Sequence, residues 1–236
     1  AKVLRLTWEN IRNVKIFLLI PLTLFNGIEQ AFVVGIFTKA FVGCGLGIAQ
    51  IGFIMTCFGV SDAVCSLVFG PLIKLFGRMP LFVFGAVINM LMICTLFIWS
   101  LNPADTMIFY VVAGVWGMAD GVWNTQVNGI WVALVGRQSL EFAFASYRFW
   151  ESLGLALGFL LIRLTTVQVF LAISFVFLMV GIAGYFCIEL YEQITIYIDS
   201  LFAVCLFGKK PVIGQPNSMQ VSLISKSTIG GPNTIR

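Results

Sequence analysis

Residues 111–131 read VVAGVWGMADGVWNTQVNGIW, and residues 145–152 read ASYRFWES. Both runs are apolar enough to sit in a lipid bilayer. Each nevertheless places ionisable groups near its middle: Asp120 in the first, Arg148 and Glu151 in the second. A charged side chain at the centre of a membrane helix costs roughly 2.5–3.5 kcal/mol on insertion scales, so such groups persist where they face protein or water and have partners. At about 100° per residue, Gly117, Asp120, Gly121, Asn124 and Asn128 fall on one side of a helix and Gln126 on the other. A face this small and polar lets a neighbouring backbone approach closely and hydrogen-bond to it. The remaining apolar segments are expected to enclose that face.

Composition agrees. Of 236 residues, 60% are hydrophobic and 10% are charged, against about 25% charged in soluble domains. The chain is therefore expected to be an all-α integral membrane protein. The net charge of +4 includes no basic run outside the membrane flanks, which argues against nucleic-acid binding. Histidine is absent, which excludes a His-based zinc site and a Ser–His–Asp triad. The six cysteines form no CxxC pair and mostly lie in apolar segments, as small packing residues do. There is no phosphate loop, nucleophile elbow or metal-ligand spacing. No catalytic residue, no metal site, no cofactor and no enzymatic activity are expected.

Six segments approach the roughly 20 residues a bilayer requires: 16–37, 50–73, 80–100, 107–135, 141–163 and 167–190. They define a six-helix transmembrane domain at 16–190. It is preceded by a basic cytoplasmic linker at 1–15 and followed at 191–236 by an interfacial segment and a disordered cytoplasmic tail rich in Gly, Pro and Ser. With these spans, Lys2, Arg5, Arg12, Lys15, Lys74, Arg78, Arg137, Lys209, Lys210, Lys226 and Arg236 share one side, Lys39 and Arg163 lie opposite, and Arg148 lies within a span. The positive-inside rule puts both termini in the cytoplasm. The chain does not begin with Met and carries no signal peptide, which suggests a fragment or a processed product.

An internal repeat is visible. Glu29 and Asp120 are 91 residues apart, Asp62 and Glu151 are 89 apart, and Pro80 and Val167, which open spans three and six, are 87 apart. The offsets suit a three-plus-three repeat, which forms half of a major facilitator-type bundle. After span two, GPLIKLFGRMP (70–80) resembles the major facilitator loop motif G-x-L-x-(D/K)-x-x-G-R-(K/R). Gly70, Leu72, Gly77 and Arg78 match, Lys74 stands at the position that is often Asp, and Met79 departs from the pattern. Gly70 and Gly77 would permit close helix approach and a tight turn.

In span one, FNGIEQAF places Asn26, Glu29 and Gln30 at i, i+3 and i+4, on one helical face. With Asp62, Asp120, Asn124, Asn128, Arg148 and Glu151 they form the candidate buried polar network. Away from the span ends, Glu29, Asp62, Asp120 and Glu151 stand against Arg148 alone. Two readings remain open: a pathway for a proton or cation, and a static network that holds the bundle together. Arg148 is expected to pair with Glu151 at i+3, with Asp120 competing for it. Trp116, Trp123, Trp131 and Trp150 read as lipid or packing contacts, and Gly114, Gly117, Gly121, Gly154 and Gly158 as close-packing positions.

Several long blocks occur in one order: FNGIEQAFVVGIFTKAFV, GFIMTCFGVSDAVCSLVFG, GRMPLFVFGAV, WGMADGVWNTQVNGIW and AFASYRFWESLG. Together, over about 22–160, they resemble the Unc-ninety-three family, major facilitator-like membrane proteins that include ion channel regulators. The resemblance is to the carboxyl-terminal half of that family, which implies a missing amino-terminal half-bundle. It also implies a regulatory partner of a membrane protein such as a potassium channel, in the plasma membrane rather than endosomes. Other possibilities are a proton- or cation-coupled secondary transporter of a small solute and a trafficking escort for membrane receptors.

Overall fold

The computed structural model describes residues 14–98, 105–135 and 140–207. The expectations for residues 1–13, for the loop residues 101–104 and 136–139, and for the tail from 208 onward lie outside the described residues. Among the described residues the chain is all-helical, with no strand. Six helical segments follow one another. Helix α1 is Val14–Ala31, continued by a π-helical stretch, Phe32–Gly43. The others are α2 (Ile48–Phe76), α3 (Arg78–Ile98), α4 (Thr106–Val135), α5 (Leu140–Leu164) and α6 (Val167–Phe207).

Among the described residues, five segments are long and apolar enough to cross a membrane: Val14–Gly43, Ile48–Phe76, Arg78–Ile98, Thr106–Val135 and Val167–Thr195. Helix α5 has 25 residues, enough for a span at about 1.5 Å per residue. It is more polar, with Glu141 in its first turn and Arg163 in its last. Those placements complement the helix dipole. The protein is a multi-pass integral membrane protein.

Three boundaries differ from the expected ones. Span one, expected to end at 37, runs to Gly43, so most of the Gly-rich connector at 38–49 is helical. Its buried residues explain the winding: Phe32, Val33, Ile36, Phe37, Phe41 and Val42 recur four and five apart. Hydrogen bonding from i to i+5 brings such residues to one face, whereas the tighter α-helix would spread them around the axis. Gly47, with φ of 92°, then breaks the helix ahead of α2. Helix α2 ends at Phe76 rather than 73, and Gly77, with φ of 84°, makes the turn into α3. That backbone conformation is open to Gly at little cost. Helix α6 continues past 190 to Phe207.

The chain divides into two compact units, Ala1–Tyr185 and Phe186–Arg236. The described part of the second, residues 186–207, is helical. In the first, α1 packs mainly along α5, and α4 mainly along α2 and then α3. On the other side of α1, Gly181 and Gly184 of α6 lie against Leu22 and Leu18. Exchanging helices one, two and three with four, five and six reproduces these pairings. The three-plus-three repeat expected from the charge spacing is thus expressed as packing.

The core between the halves is aromatic. Trp123 meets Phe25 and Phe82 edge-on, with centroids 6.2 and 5.2 Å apart, and Phe82 stacks on Tyr185 at 3.7 Å. Helix α2 is different. It buries only Ile54 and Phe69 and exposes Phe53, Val60, Val64, Leu67 and Leu75.

Candidate functional site

Helices α1 and α4 run antiparallel along their contact. Thr23 meets Trp131, Phe25 meets Trp123, and Glu29 and Phe32 meet Trp116. Asn26 and Asp120 therefore fall in the same layer of the bundle, between the Phe25–Trp123 and Glu29–Trp116 contacts.

The face expected at Asn26, Glu29 and Gln30 is divided between two neighbours. Asn26 and Gln30 turn to α5: Asn26 Nδ2 donates to the Tyr147 hydroxyl at 2.8 Å and to Glu151 Oε1 at 3.4 Å, and Gln30 Nε2 donates to Glu151 Oε1 at 3.0 Å. Glu29 turns the other way. Trp116 Nε1 donates to its Oε1 at 2.5 Å, and Asn89 Nδ2 of α3 donates to its Oε2 at 3.4 Å. Beside it lies a small cavity, lined by Phe25, Glu29, Phe32, Ile93, Trp116, Leu171 and Ser174, with room for about one water molecule.

Tyr147 joins the layers. Its hydroxyl accepts from Asn26 and has two acceptors within reach, Asn124 Oδ1 and Glu151 Oε1, each at 3.0 Å. One O–H proton serves one of them at a time. Asn124 in turn donates to Asp120 Oδ2 at 3.1 Å. With the Tyr147 proton on Asn124, a path of hydrogen bonds runs from Asp120 through Asn124, Tyr147 and Asn26 to Glu151, and on to Arg148.

Arg148 pairs with Glu151, Nη1 to Oε2 at 2.6 Å, with the arginine side chain 68% exposed and the glutamate 5%. Its guanidinium also lies 5.3 Å from the Tyr147 ring centre. Asp120 does not take this arginine. Asp62 is hydrogen-bonded by Ser66 within its own helix at 3.2 Å. No hydrogen bond joins it to Asp120 among the described contacts. Asn128 donates to the Asn124 carbonyl at 2.7 Å. The structure thus links Asn26, Gln30, Asp120, Asn124, Asn128, Arg148 and Glu151 by hydrogen bonds, and leaves Glu29 and Asp62 adjacent but separately bonded.

The polar and small face of α4 meets a backbone as expected. A Cβ on Gly117 would collide with the Phe58 carbonyl oxygen of α2, and one on Gly121 would come within 3.0 Å of the Asp62 carbonyl oxygen. On the other pair, Gly27 of α1 meets the Glu151 carbonyl oxygen and Gly154 of α5 meets that of Leu24. Gly158 abuts Ala31. Gly114 is an exception, with only Cys57 Sγ at 3.7 Å, an ordinary contact. The repeat holds residue by residue. Asn26 on Tyr147 and Gln30 on Glu151 in the α1–α5 pair correspond, at offsets of 91 and 89, to Gly117 on Phe58 and Gly121 on Asp62 in the α4–α2 pair. One half bridges with amides where the other closes with glycine.

In the loop motif, Gly77 makes the turn, and Arg78 reaches α4, 3.6 Å from a Cβ built on Gly129. Leu72 packs on Phe69, Leu81 and Val122. Lys74 lies in the last turn of α2, a favourable place for a cation. Gly70 has open space around it, so no close approach occurs there. Of the cysteines, Cys65 packs near Gly121, whereas Cys44, Cys94 and Cys187 are exposed and do not serve as core packing.

Tyr147, Asn89 and the indole N–H groups of Trp116 and Trp131 were not among the expected polar partners. Trp131 Nε1 donates to Thr23 Oγ1 at 3.0 Å. The signal for Tyr147 was present, because it stands four residues before Glu151 on one helical face. Asn89, alone in an apolar span, carried none.

The Major Facilitator Superfamily profile matches residues 17–218. The chain is 64% identical over 212 residues to a Caenorhabditis elegans protein named "Putative potassium channel regulatory protein unc-93"; the match covers 90% of this chain and 30% of that protein. It is 39% identical over 194 residues to "Protein unc-93 homolog A" of Xenopus laevis, covering 82% of this chain and 42% of the frog protein. It is 24% identical over 193 residues to "Protein unc-93 homolog B1" of Mus musculus, covering 80% and 32%. The chain thus spans less than half the length of these relatives.

Proposed function

The chain belongs to the major facilitator superfamily, and from that premise we propose that it is part of a non-enzymatic membrane protein that regulates a potassium channel through its helix faces. The observation that carries this reading is the 64% identity, over nine-tenths of the chain, to the worm protein of that name. The bundle's interior supports it. Its polar side chains are bonded to one another across α1, α4 and α5, and the cavity beside Glu29 admits about one water. Such an interior suits a braced scaffold. The apolar face of α2, with Phe53, Val64 and Leu67 exposed, offers contact area to lipid or to a membrane partner. On this reading both termini lie in the cytoplasm, which the distribution of Lys and Arg supports, and the protein works at the plasma membrane, where a channel regulator would meet its partner.

A second reading, a secondary transporter coupled to protons or cations, is favoured by the superfamily and by four carboxylates, Glu29, Asp62, Asp120 and Glu151, set against Arg148. One experiment separates the two. The full-length parent, wild type or with Glu151→Gln, is co-expressed with potassium channels in oocytes. Current and surface delivery of both proteins are recorded, together with solute uptake. A change in current with the wild type that the variant loses, at normal surface delivery, supports the regulator. Saturable uptake abolished by the same substitution, with no effect on current, would overturn it.

A further inference from the structure

We propose that the layer of the bundle holding Asn26 and Asp120 binds one small monovalent cation, of the sodium class. The inference starts from oxygen atoms that lack donors. Asp120 is 5% exposed and Asn26 fully buried. Asp120 Oδ1 and Asn26 Oδ1 are both buried without a hydrogen-bond partner. A carboxylate oxygen and an amide oxygen are acceptors that burial penalises heavily when nothing meets them. The orientation of Asn26 follows from its surroundings: its Nδ2 faces Tyr147 and Glu151 Oε1, where an amide oxygen would oppose a carboxylate.

The layer is also short of positive charge. Glu29, Asp62 and Glu151 are the acidic neighbours from α1, α2 and α5. Glu29 and Asp120 interact electrostatically, as do Asp120 and both Asp62 and Glu151. Arg148 is engaged by Glu151, and Asp120 receives a hydrogen bond from Asn124 on one oxygen only. A bridging water would satisfy two acceptors but bring no positive charge. A cation lodged between the two oxygens would meet both and offset the surrounding acids.

The class of cation follows from the donors. No group of three or more His, Cys, Asp or Glu side chains among the described residues is placed to hold a metal ion, whereas divalent ions are usually held by several carboxylates or by softer ligands. One carboxylate oxygen and one amide oxygen, both hard and carrying a single negative charge, suit a hard ion of charge +1. The complete burial of both atoms excludes bulky organic cations.

The test uses the purified full-length parent in nanodiscs at fixed pH and ionic strength, with its thermal midpoint recorded in choline, lithium, sodium and potassium chloride. Sodium should raise Tm over choline in a saturable way, by roughly 3–8 °C at saturation, because a ligand that binds the folded state alone stabilises by mass action. Asp120→Asn should abolish the rise, and its Tm in choline should equal or exceed that of the wild type. Glu141→Gln, at the exposed start of α5, should keep the rise. Where Asp120→Asn does not fold, Asn26→Ser should weaken the apparent affinity several-fold. Equal midpoints in all four salts, a sodium rise retained by Asp120→Asn, or a Tm that follows pH but not the identity of the cation would each overturn the proposal, the last by assigning the layer to a proton.

Discussion

Trp116 of α4 donates its indole N–H to the Glu29 carboxylate of α1 at 2.5 Å, and the same indole stacks on Phe32 with ring centres 5.0 Å apart. One side chain therefore serves both as a polar partner and as packing, and the two roles separate by mutation. Trp116→Phe keeps an aromatic ring but removes the donor, leaving Glu29 with Asn89 alone. We expect a loss of about 1–3 kcal/mol in unfolding free energy, the usual cost of stranding a buried acceptor. Glu29→Gln should be milder in the Trp116→Phe background than in the wild type. A double-mutant cycle by thermal or denaturant unfolding in detergent measures that coupling.

Tyr147→Phe tests the node of the hydrogen-bond path. Tyr147 is fully buried, so Phe preserves the packing and deletes one hydroxyl. Asn26 loses an acceptor, and Asn124 and Glu151 lose a donor they share. A decrease of about 1–2 kcal/mol is expected. An unchanged midpoint would show that the hydroxyl contributes nothing to holding α1, α4 and α5 together.

Arg148 and Glu151 form a pair of unequal members. Removing the guanidinium leaves Glu151 with Gln30, Asn26 and Tyr147, and the arginine is largely exposed. Arg148→Leu should therefore cost no more than about 1 kcal/mol. Glu151→Leu strands Gln30 and loosens Asn26 and Tyr147 in the interior, and should cost about 3–5 kcal/mol. The order of the two variants in a single unfolding series is the measurement.

Glycine positions divide into two groups. Gly27→Ala and Gly117→Ala drive a methyl group into a carbonyl oxygen of the facing helix, and overpacking of this kind costs about 1–3 kcal/mol or more. Gly52→Ala and Gly59→Ala meet open space and should be neutral, or stabilise by up to about 1 kcal/mol through helix preference. Expression level and thermal midpoint across the four variants would show the split.

The sequence made the bundle legible because membrane spans are marked by length and hydropathy, and because buried acids at offsets of 91 and 89 revealed the repeat before any packing was known. It also marked α4's small face, where Gly117 and Gly121 meet α2. The division of labour on α1 was not legible. Asn26, Glu29 and Gln30 share a face by spacing, but two helices flank that face, and only packing decides that Glu29 goes to one and its neighbours to the other. The tryptophans pack as expected, but their hydrogen bonds were not legible for a related reason: an indole counts as apolar in any hydropathy reading, and its single N–H acquires a role only when an acceptor such as Glu29 is placed against it.

The wide winding of Phe32–Gly43 has a consequence for how the family's sequences can vary. A stretch bonded from i to i+5 contains more residues per turn than its α-helical neighbours, so it carries slack in residue number. A homologue one residue shorter between Ala31 and Gly47 could rewind locally and leave Asn26, Glu29 and Gln30 facing the partners they have now. A deletion of the same size before Asn26 has no such reserve and would rotate all three away.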